Sequence, residues 1–235
     1  MPNENSADVI IIGGGVAGLS TAMQLAGRGA KVVVLERERL GNGSTGRAAG
    51  LLGQLRGNIE HTRMLVDGVA IVKELERLAG CQIFVQTGSV RIAETAERAE
   101  EIAALVEMGK SIGFEIDHIP IPTVARHLPY MRTNDLVDAC YCPTDGHLQP
   151  AELAAAYIKI GRERGVRYET NTPVTDIMIE GGRVRGVRTA AAEFEGPVVV
   201  NAGGPWSYLN AELAPAVLPT AAIGHYYLTT KPEPI

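Results

Sequence analysis

The chain opens on apolar runs and glycines whose order predicts a strand, a helix and a second strand. Residues 9–12 are all apolar, as in a strand buried on both faces of a parallel sheet. Apolar or small residues follow at helical spacing until Gly27 and Gly29. These helical positions are Leu19, Ala22, Met23 and Ala26. The run at 31–36 predicts the second strand and completes a βαβ unit of about thirty residues.

The middle of the chain carries two more helical patterns with a strand-like segment between them. The apolar positions are Leu65, Val69 and Val72 in one helix, and Ala99, Ala103 and Val106 in the other. Residues 83–92, between these helices, have strand character. The segment 113–149 contains several prolines, so it is predicted to form short strands and turns outside the first sheet.

The last third of the chain predicts a helix, a hairpin and one more strand. The apolar helical positions are Leu153, Ala156, Tyr157 and Ile160. Residues 173–179 and 184–188 flank a Gly-Gly pair, which is typical of a hairpin. Residues 196–201 are predicted to be a buried strand that returns to the first sheet. The whole order indicates an α/β fold: a Rossmann-like domain, with a parallel sheet, helices and a β-meander, plus part of a smaller mixed α+β domain.

Composition and charge narrow the class of ligand. The chain has 235 residues, of which 46% are hydrophobic and 21% charged, as suits a soluble globular protein. Its net charge of -5 and the absence of a Lys/Arg run argue against nucleic acid or an anionic membrane as partner. No stretch approaches the roughly 18 apolar residues of a membrane span. A small-molecule ligand is therefore expected.

The start of the chain and its cysteines bear on the compartment. Residues 1–8 are polar and lack a basic region, so the apolar run after them is predicted to be a strand rather than a signal peptide. Cys81, Cys140 and Cys142 are too few and too oddly spaced for a disulfide framework or a zinc site. We expect a cytoplasmic protein without a metal site.

Three glycines follow the first strand at the spacing of a dinucleotide-binding turn. In Gly13-x-Gly15-x-x-Gly18, the first permits the tight turn, the second lets the backbone approach a phosphate, and the third permits close helix–strand packing. The unpaired amides at the helix N-terminus, around Val16 and Ala17, would attract a pyrophosphate. A glycine-rich turn can also be purely structural, so the residues around it must distinguish a structural turn from a nucleotide-binding one.

An acidic residue at the end of the second strand favours a nucleotide. Glu36 follows the glycines by roughly twenty residues, where a carboxylate would bind ribose hydroxyls, and its neighbour Arg37 is included in the predicted site. A carboxylate there would repel a 2′-phosphate, which favours FAD or NAD. The alternative is a solvated charge at the end of a strand.

A loop of small residues at 41–52 favours FAD over NAD. Ser44, Thr45 and Arg47 can hydrogen-bond phosphates. The backbone that follows can pass along a flat ring, and the residues concerned are Ala48, Ala49, Gly50 and Leu51. A classical NAD-dependent dehydrogenase, the competing interpretation, has no reason to carry this loop.

At these motifs the sequence resembles the D-amino-acid-oxidase-like superfamily of FAD-dependent oxidoreductases. The likeness is strongest to its branch of sarcosine and dimethylglycine dehydrogenases and glycine oxidase. Beyond the glycine turn it includes residues 44–51, 145–150, 172–175 and 201–207, in order along nearly the whole chain.

The resemblance implies roles for individual residues. Val174 would contact the adenine through its backbone, and Ala202 and Gly203 would pass close to the dinucleotide. Trp206 belongs to the same motif and is included in the predicted site. Residues 48–51 would run beside the flavin.

The resemblance also implies a domain organisation. Residues 1–80 and 150–215 would form the FAD-binding domain, 81–149 the first part of the substrate domain, and 216–235 the start of a returning substrate-domain sheet. Since family members continue beyond the equivalent of Ile235, we expect a partner chain or a missing C-terminal region to complete the active site. Arg47 stands where covalently flavinylated dehydrogenases of this branch have a histidine, so non-covalent FAD is predicted.

The implied reaction is oxidation of the C–N bond of a small amino acid or N-methylated amino acid, with hydride transfer to the flavin. No catalytic residue can be assigned. Arg56 could bind a substrate carboxylate, and His225, Tyr226 and Tyr227 could border the pocket. Two other functions stay open: a hydroxy-acid or glycerol-phosphate dehydrogenase of the same fold, and a non-catalytic flavin-binding subunit.

Overall fold

The structure is a computed structural model in which residues 5–228 are described. Its helices are α1 (Val16–Ala26), α2 (Ile59–Ala79), α3 (Ala96–Ser111), α4 (Ile121–His127), α5 (Pro150–Glu163) and α6 (Ser207–Glu212). Its strands are β1 (Val9–Ile12), β2 (Val32–Leu35), β3 (Leu51–Leu52), β4 (Phe84–Val85), β5 (Ser89–Ala93), β6 (Asp117–His118), β7 (Asp138–Cys142), β8 (Gly146–Leu148), β9 (Arg167–Glu169), β10 (Val174–Glu180), β11 (Arg183–Thr189), β12 (Glu193–Glu195) and β13 (Val198–Asn201). Two 3₁₀ helices occur at Thr45–Arg47 and Gly204–Trp206.

The described residues form two compact units. Unit 1 contains residues up to Ala49 and from Pro150 onward, and unit 2 contains Gly50–Gln149. The sequence had suggested a boundary between residues 80 and 81, whereas the chain enters unit 2 at Gly50. The difference arises because β3 pairs with β8, and α2 lies in the same unit.

Unit 1 is built on a four-stranded parallel sheet with the order β13-β1-β2-β9. All residues of β1 and β2 are buried, which agrees with their uninterrupted apolar sequences. Alternate residues of β1 enter two different apolar clusters, with Ile10 and Ile12 in one and Val9 and Ile11 in the other. The predicted βαβ unit and its parallel sheet are confirmed.

Strand β13 returns to this sheet beside β1, as predicted, but the prediction that it is buried is wrong. Within residues 5–228 it pairs only with β1 and forms an edge of the sheet. Its residues are half-buried or exposed, and Val198 is 46% exposed. An apolar run can therefore mark an edge strand as well as a central one.

The predicted helix and hairpin of the last third are confirmed. Helix α5 packs against α1. Strands β10 and β11 pair antiparallel around Gly181 and Gly182, whose φ angles are +57° and +74°. β12 extends this ribbon to three strands. The positive φ angles explain why two glycines occur at the turn.

Unit 2 contains two small antiparallel sheets, with the orders β3-β8-β4 and β5-β7-β6. Its apolar cluster is formed by residues of the 53–58 loop, β5, β7, α3 and the segment that follows α3. The buried members are Leu55, Ala93, Ile102, Val106, Phe114, Ile116, Cys140 and Cys142. The mixed α+β character predicted for the smaller domain is present in this unit.

Two local predictions in unit 2 need correction. The strand-like segment 83–92 is divided into β4 and β5, which belong to different sheets, because the chain turns at Gly88 with φ +73°. The proline-rich segment 113–149 contains helix α4 in addition to short strands. Its prolines, Pro120 and Pro122, lie at the N-cap and in the first turn, where a missing amide costs the helix nothing.

The segment after α6 was predicted to be the start of a returning sheet over residues 216–235. Residues 216–228 contain neither a helix nor a strand, and residues 229–235 lie outside the described part. No helix within residues 5–228 is long and apolar enough to span a lipid bilayer.

Candidate functional site

The glycine turn between β1 and α1 has a geometry that side chains would obstruct. Gly13 has φ +110°, and a Cβ atom there would collide with the carbonyl of Ala202. A Cβ atom at Gly18 would collide with the carbonyl oxygen of Gly13. These two glycines therefore allow the turn and the close packing of α1, as their spacing predicted.

The N-terminus of α1 is open to a ligand. Gly15 is the N-cap, and it supplies no side-chain hydrogen bond, while the first turn carries no acidic residue. Within residues 5–228, the amides of Gly15 and Ala17 have no hydrogen-bond acceptor, and Ala17 is exposed. Exposed amides and the positive end of the helix dipole can bind an anion such as a pyrophosphate.

Glu36 and Thr45 each accept a hydrogen bond from a backbone amide at this N-terminus. The Gly14 amide donates to Glu36 Oε2 over 2.7 Å, and the Glu38 amide donates to Glu36 Oε1 over 2.9 Å. The Val16 amide donates to Thr45 Oγ1 over 2.9 Å. A carboxylate offers about four acceptor sites, so Glu36 keeps capacity for hydroxyl donors such as those of a ribose.

The small-residue loop after β2 is tied to the glycine turn. The Gly41 amide donates to the Gly14 carbonyl over 2.8 Å, and a Cβ atom at Gly46 would lie 2.6 Å from the Gly41 carbonyl oxygen. Ser44 and Arg47 are exposed, and Arg47 has no ion pair within residues 5–228. The loop thus presents a cation and a hydroxyl that other side chains do not engage.

The turn after β13 contributes a second wall of the unit 1 site. The Ala202 amide donates to the Ile12 carbonyl over 2.9 Å, and the Gly203 amide donates to Asn201 Oδ1 over 3.2 Å. The Arg37 guanidinium lies 3.8 Å from the centroid of the Trp206 ring, a cation–π contact. The ends of β1, β2 and β13 therefore meet around the glycine turn.

Val174 also lies beside this group of elements. The Thr172 amide donates to the Glu36 carbonyl over 2.9 Å, two residues before Val174 begins β10. Val174 packs against the apolar cluster that contains Ile12 and Leu35. Its predicted backbone contact with adenine stays a prediction.

The remaining predicted residues are distributed between the units. Ala48 and Ala49 are exposed at the end of the first segment of unit 1, whereas Gly50 and Leu51 begin unit 2. The Leu51 side chain is 83% exposed. Their predicted position beside a flavin stays a prediction.

The substrate-pocket candidates have different surroundings. Arg56 is exposed in unit 2 and donates through Nη1 to the carbonyl of Leu55 over 2.8 Å. His225 and Tyr227 are exposed in the segment that forms no helix or strand. Arg56 thus belongs to unit 2, whereas His225 and Tyr227 belong to unit 1, and their predicted place at a substrate pocket stays a prediction.

A buried polar cluster in unit 2 was not predicted as functional from the sequence. Asp145, only 1% exposed, accepts at Oδ1 from the Gln54 amide over 2.9 Å and at Oδ2 from Ser89 Oγ over 2.6 Å. Gln54 Nε2 also donates to the Thr144 carbonyl over 2.8 Å. The one sequence signal was the inclusion of Asp145 in the motif at 145–150. This cluster connects segments that are 91 residues apart.

Two buried thiols adjoin the same cluster. Burial, followed by the charge of Asp145, raises the pKa of Cys142 to about 12. Burial also raises the pKa of Cys140. Both thiols therefore stay protonated at neutral pH, which makes them poor nucleophiles. Within the described residues, no group of three or more His, Cys, Asp or Glu side chains is placed to hold a metal ion.

Comparison with known proteins identifies the family to which this chain is similar. The family described as FAD dependent oxidoreductase matches residues 8–235. Mitochondrial sarcosine dehydrogenase from Homo sapiens is 35% identical over 244 residues, covering 98% of this chain and 26% of that protein. The mitochondrial pyruvate dehydrogenase phosphatase regulatory subunit from Mus musculus is 32% identical over 231 residues, covering 96% of this chain and 26% of that protein. The chain thus spans about a quarter of the length of these curated relatives.

A solved structure supports the same conclusion on the fold. Glycine oxidase from Bacillus cereus ATCC 14579 superimposes with a TM-score of 0.75 and 32% identity, covering 86% of this chain and 58% of that one. Because the family match extends from residue 8 to residue 235, this chain belongs to the DAO family of FAD-dependent oxidoreductases.

Proposed function

We propose that the chain binds FAD non-covalently at the glycine turn of unit 1 and serves the oxidation of a small amino acid or N-methylated amino acid. The observation that carries the proposal is the exposed N-terminus of α1, where the Gly15 and Ala17 amides have no acceptor within residues 5–228. The Glu36 carboxylate beside them supports an unphosphorylated ribose.

The residues of unit 1 fit the parts of this cofactor. The Gly15 and Ala17 amides, with Thr45 and Arg47, would hold the pyrophosphate, and Glu36 would accept from the ribose hydroxyls. Ala202 and Gly203 border the turn, and Val174 would lie at the adenine. Arg47 is not a histidine, which supports non-covalent binding.

The chemistry divides between cofactor and protein. Bound FAD would supply the electron acceptor for a hydride from the carbon next to the amine nitrogen. The resulting imine would add water and release the amine and a carbonyl compound. The chain's own residues would bind the substrate carboxylate, orient the amine and keep the backbone at 48–51 beside the flavin.

A second candidate is a non-catalytic flavin-binding subunit. The observation that favours it is the 32% identity to a protein named as a regulatory subunit. The sarcosine dehydrogenase relative favours the enzyme. In either case we propose that a partner chain or further sequence completes the substrate side, since this chain spans 26% of each relative.

The compartment is part of the same proposal. Free cysteines at 81, 140 and 142 fit a reducing compartment such as the cytoplasm. The two curated relatives carry mitochondrial names. Fractionation of the source cells, with an antibody to the chain, would distinguish the two locations.

The decisive experiment measures cofactor and reaction separately. The 235-residue chain is purified, its visible spectrum is recorded, and FAD and NAD are titrated in parallel. We expect saturable FAD binding, intact FAD released by denaturant, and no comparable NAD binding. Failure to bind FAD, or flavin that stays attached after denaturation, would contradict the proposal.

The substrate class is tested on the FAD complex without oxygen. Sarcosine and dimethylglycine should bleach the flavin absorbance, whereas lactate and glycerol 3-phosphate should not. The reverse order would favour the hydroxy-acid or glycerol-phosphate dehydrogenase. Tight FAD binding without bleaching by any of the four would favour the non-catalytic subunit.

A further inference from the structure

The turn at Asn42-Gly43 places a side-chain amide next to a backbone amide that has no acceptor. Asn42 is the only asparagine in the sequence that is followed by glycine. Both residues are half-buried and lie in a turn, outside any helix or strand. Within residues 5–228 the Gly43 amide donates no hydrogen bond, whereas the Asn42 amide donates to the Arg39 carbonyl over 3.2 Å. The Gly43 nitrogen is therefore not held by another group.

An asparagine and the backbone amide after it can react with each other. When that amide loses its proton to water, its nitrogen can attack the carbonyl carbon of the asparagine side chain. The new C–N bond closes a succinimide ring, and the side-chain nitrogen leaves as ammonia. Water then adds to either ring carbonyl and opens the ring to aspartate or isoaspartate. The net change consumes one water and releases one ammonia, without an oxidant or a metal.

The residue that follows the asparagine controls this reaction. Gly43 has no Cβ atom to hinder the approach of its nitrogen, and its backbone is less restricted than that of other residues. Asn58 provides the contrast, because it is followed by Ile59, which is β-branched and stiff. The Asn58 side chain is also held at the start of α2, where Oδ1 accepts from the His61 amide over 2.8 Å. The reaction should therefore be confined to Asn42.

The side chain that would react also ties its loop to the residues around the glycine turn. Asn42 Nδ2 donates to Glu38 Oε2 over 2.9 Å, and the Glu38 amide donates to Glu36 Oε1 over 2.9 Å. The adjoining Gly41 amide donates to the Gly14 carbonyl over 2.8 Å. Conversion to aspartate replaces the Nδ2 donor by a carboxylate oxygen. A hydrogen bond to Glu38 would thus be exchanged for repulsion between like charges.

We propose that Asn42 is a site of spontaneous deamidation, and that its conversion to aspartate or isoaspartate lowers the affinity of unit 1 for FAD. The first part depends only on the Asn42-Gly43 pair. The second part rests on the proposed function, because it requires the ribose and pyrophosphate of FAD to lie at the glycine turn. The added carboxylate would stand near Glu36 and repel the phosphates. The fraction of chains that hold FAD tightly would then fall with time.

The reaction is measured by peptide mass spectrometry. The FAD-free chain is incubated at mildly alkaline pH, below its unfolding temperature, and samples are digested at intervals. Trypsin releases residues 40–47, in which Asn42 is the only asparagine, and residues 57–63, in which Asn58 is the only one. The first peptide should gain the mass difference between an amide and an acid, and should separate into aspartate and isoaspartate forms on chromatography. The second peptide should keep its mass.

Two variants test the chemistry without adding charge. In Gly43→Ala the new Cβ atom would meet only a Trp206 carbon, at 3.9 Å, and Gly43 has no positive φ, so the fold should be kept. Its peptide should gain mass about tenfold more slowly, which corresponds to about 1.4 kcal/mol in the barrier. Asn42→Gln keeps an amide donor for Glu38 but would have to close a larger ring, so its peptide should keep its mass.

The consequence for the cofactor is measured by FAD titration of the same proteins. Asn42→Asp is the aspartate product made directly, and its FAD affinity should fall about fivefold, which corresponds to about 1 kcal/mol, the scale of one exposed charge pair. Asn42→Gln and Gly43→Ala should bind FAD as tightly as the fresh unmodified chain. Circular dichroism of each protein separates a folding defect from a binding defect. The aged unmodified chain supplies the same measurement where Asn42→Asp does not fold.

Three results would overturn the deamidation site: no mass gain in the peptide 40–47, an equal gain in the peptide 57–63, or an equal rate in Gly43→Ala. An FAD affinity of Asn42→Asp and of the aged chain equal to that of the fresh chain would overturn the effect on the cofactor. Deamidation at Asn42 in a chain that never binds FAD would remove the proposed function and leave the modification site standing.

Discussion

The glycine turn of unit 1 and the Asp145 cluster of unit 2 both contain a carboxylate that accepts hydrogen bonds from backbone amides, but they differ in how many of their polar groups are paired. In each, a carboxylate accepts from backbone amides: Glu36 from Gly14 and Glu38, and Asp145 from Gln54. The Asp145 cluster is buried and its carboxylate is engaged at both oxygens. At the glycine turn, the half-buried Gly15 and the exposed Ala17 have amides without an acceptor within residues 5–228.

The difference separates a structural arrangement from a binding site. A buried carboxylate whose donors are all supplied by the protein stabilises the fold, and removing it leaves unpaired donors behind. Exposed amides at a helix N-terminus cost little while water solvates them, and they gain by binding an anion. Mutation of the Asp145 cluster should therefore reduce stability, and mutation at the N-terminus of α1 should reduce ligand binding.

The largest effect is expected for Asp145→Ala. This change leaves the Gln54 amide and the Ser89 hydroxyl without their acceptor in a buried region, so the free energy of unfolding should fall by about 3 kcal/mol. Urea denaturation followed by circular dichroism measures it. Asp67→Ala, which removes an exposed carboxylate from α2, is the control and should change stability by less than about 0.5 kcal/mol. Equal losses in the two variants would mean that the cluster is not structural.

Gly15→Ala should have little effect on stability and a large effect on FAD binding. The backbone at Gly15 (φ −81°, ψ 179°) suits any residue, and a Cβ atom would meet only Thr45 Oγ1, at 3.3 Å, so stability should change by less than about 1 kcal/mol. The added methyl would cover the exposed amides, and FAD affinity should fall about a hundredfold, which corresponds to about 2.7 kcal/mol. Flavin fluorescence titration measures this loss.

Gly68→Ala provides the matched control for this substitution. Gly68 lies within α2, and a Cβ atom there would have no neighbour within 4 Å. The change should stabilise the helix by up to about 1 kcal/mol and leave FAD affinity unaltered. If Gly15→Ala bound FAD as tightly as Gly68→Ala, the pyrophosphate would not lie against these amides.

The smallest effect concerns the thiol beside Asp145. Burial raises the pKa of Cys142 to about 12, whereas an unfolded thiol ionises near 8.5. The folded state keeps the proton longer, so this contribution to stability is complete below about pH 8.5 and is lost as the pH rises towards 12. Between pH 8.5 and 10 it should lower the free energy of unfolding by at most about 1.4 kcal/mol per pH unit.

Urea denaturation curves measured between pH 8.5 and 10 give the change in the free energy of unfolding per pH unit. Cys142→Ala should make it shallower, and Cys81→Ala, which removes an exposed thiol, should keep the slope of the unmodified chain. The window ends at pH 10 because burial raises the pKa of Tyr168 to about 12 as well, and tyrosine ionisation in the unfolded chain begins to contribute there. An unchanged slope in Cys142→Ala would contradict the assignment.

Local patterns were sufficient to predict most of unit 1. The strands at 9–12 and 31–36, the helix between them and the hairpin at Gly181 and Gly182 all follow from residues close in sequence. The glycine spacing likewise predicted the turn, although the atom that a Cβ at Gly13 would meet belongs to Ala202, far away in sequence. The exposure of β13 was missed, since burial depends on neighbouring strands that an apolar run does not reveal.

Unit 2 was predicted less well because its organisation depends on contacts between distant residues. The break at Gly88 is accompanied by a hydrogen bond from its amide to the Asp145 carbonyl. The contact between Arg91 and Leu55 joins residues 36 positions apart. Neither the periodicity nor the spacing of the sequence encodes such pairs, so these contacts and the first unit boundary could be found only in three dimensions.

The stacking of Arg37 on Trp206 has an optical consequence. The chain contains a single tryptophan, and its indole lies against a guanidinium beside the loop at 41–47. All indole emission therefore originates from one place in unit 1, and it needs no label to report what arrives at the ends of β1 and β2.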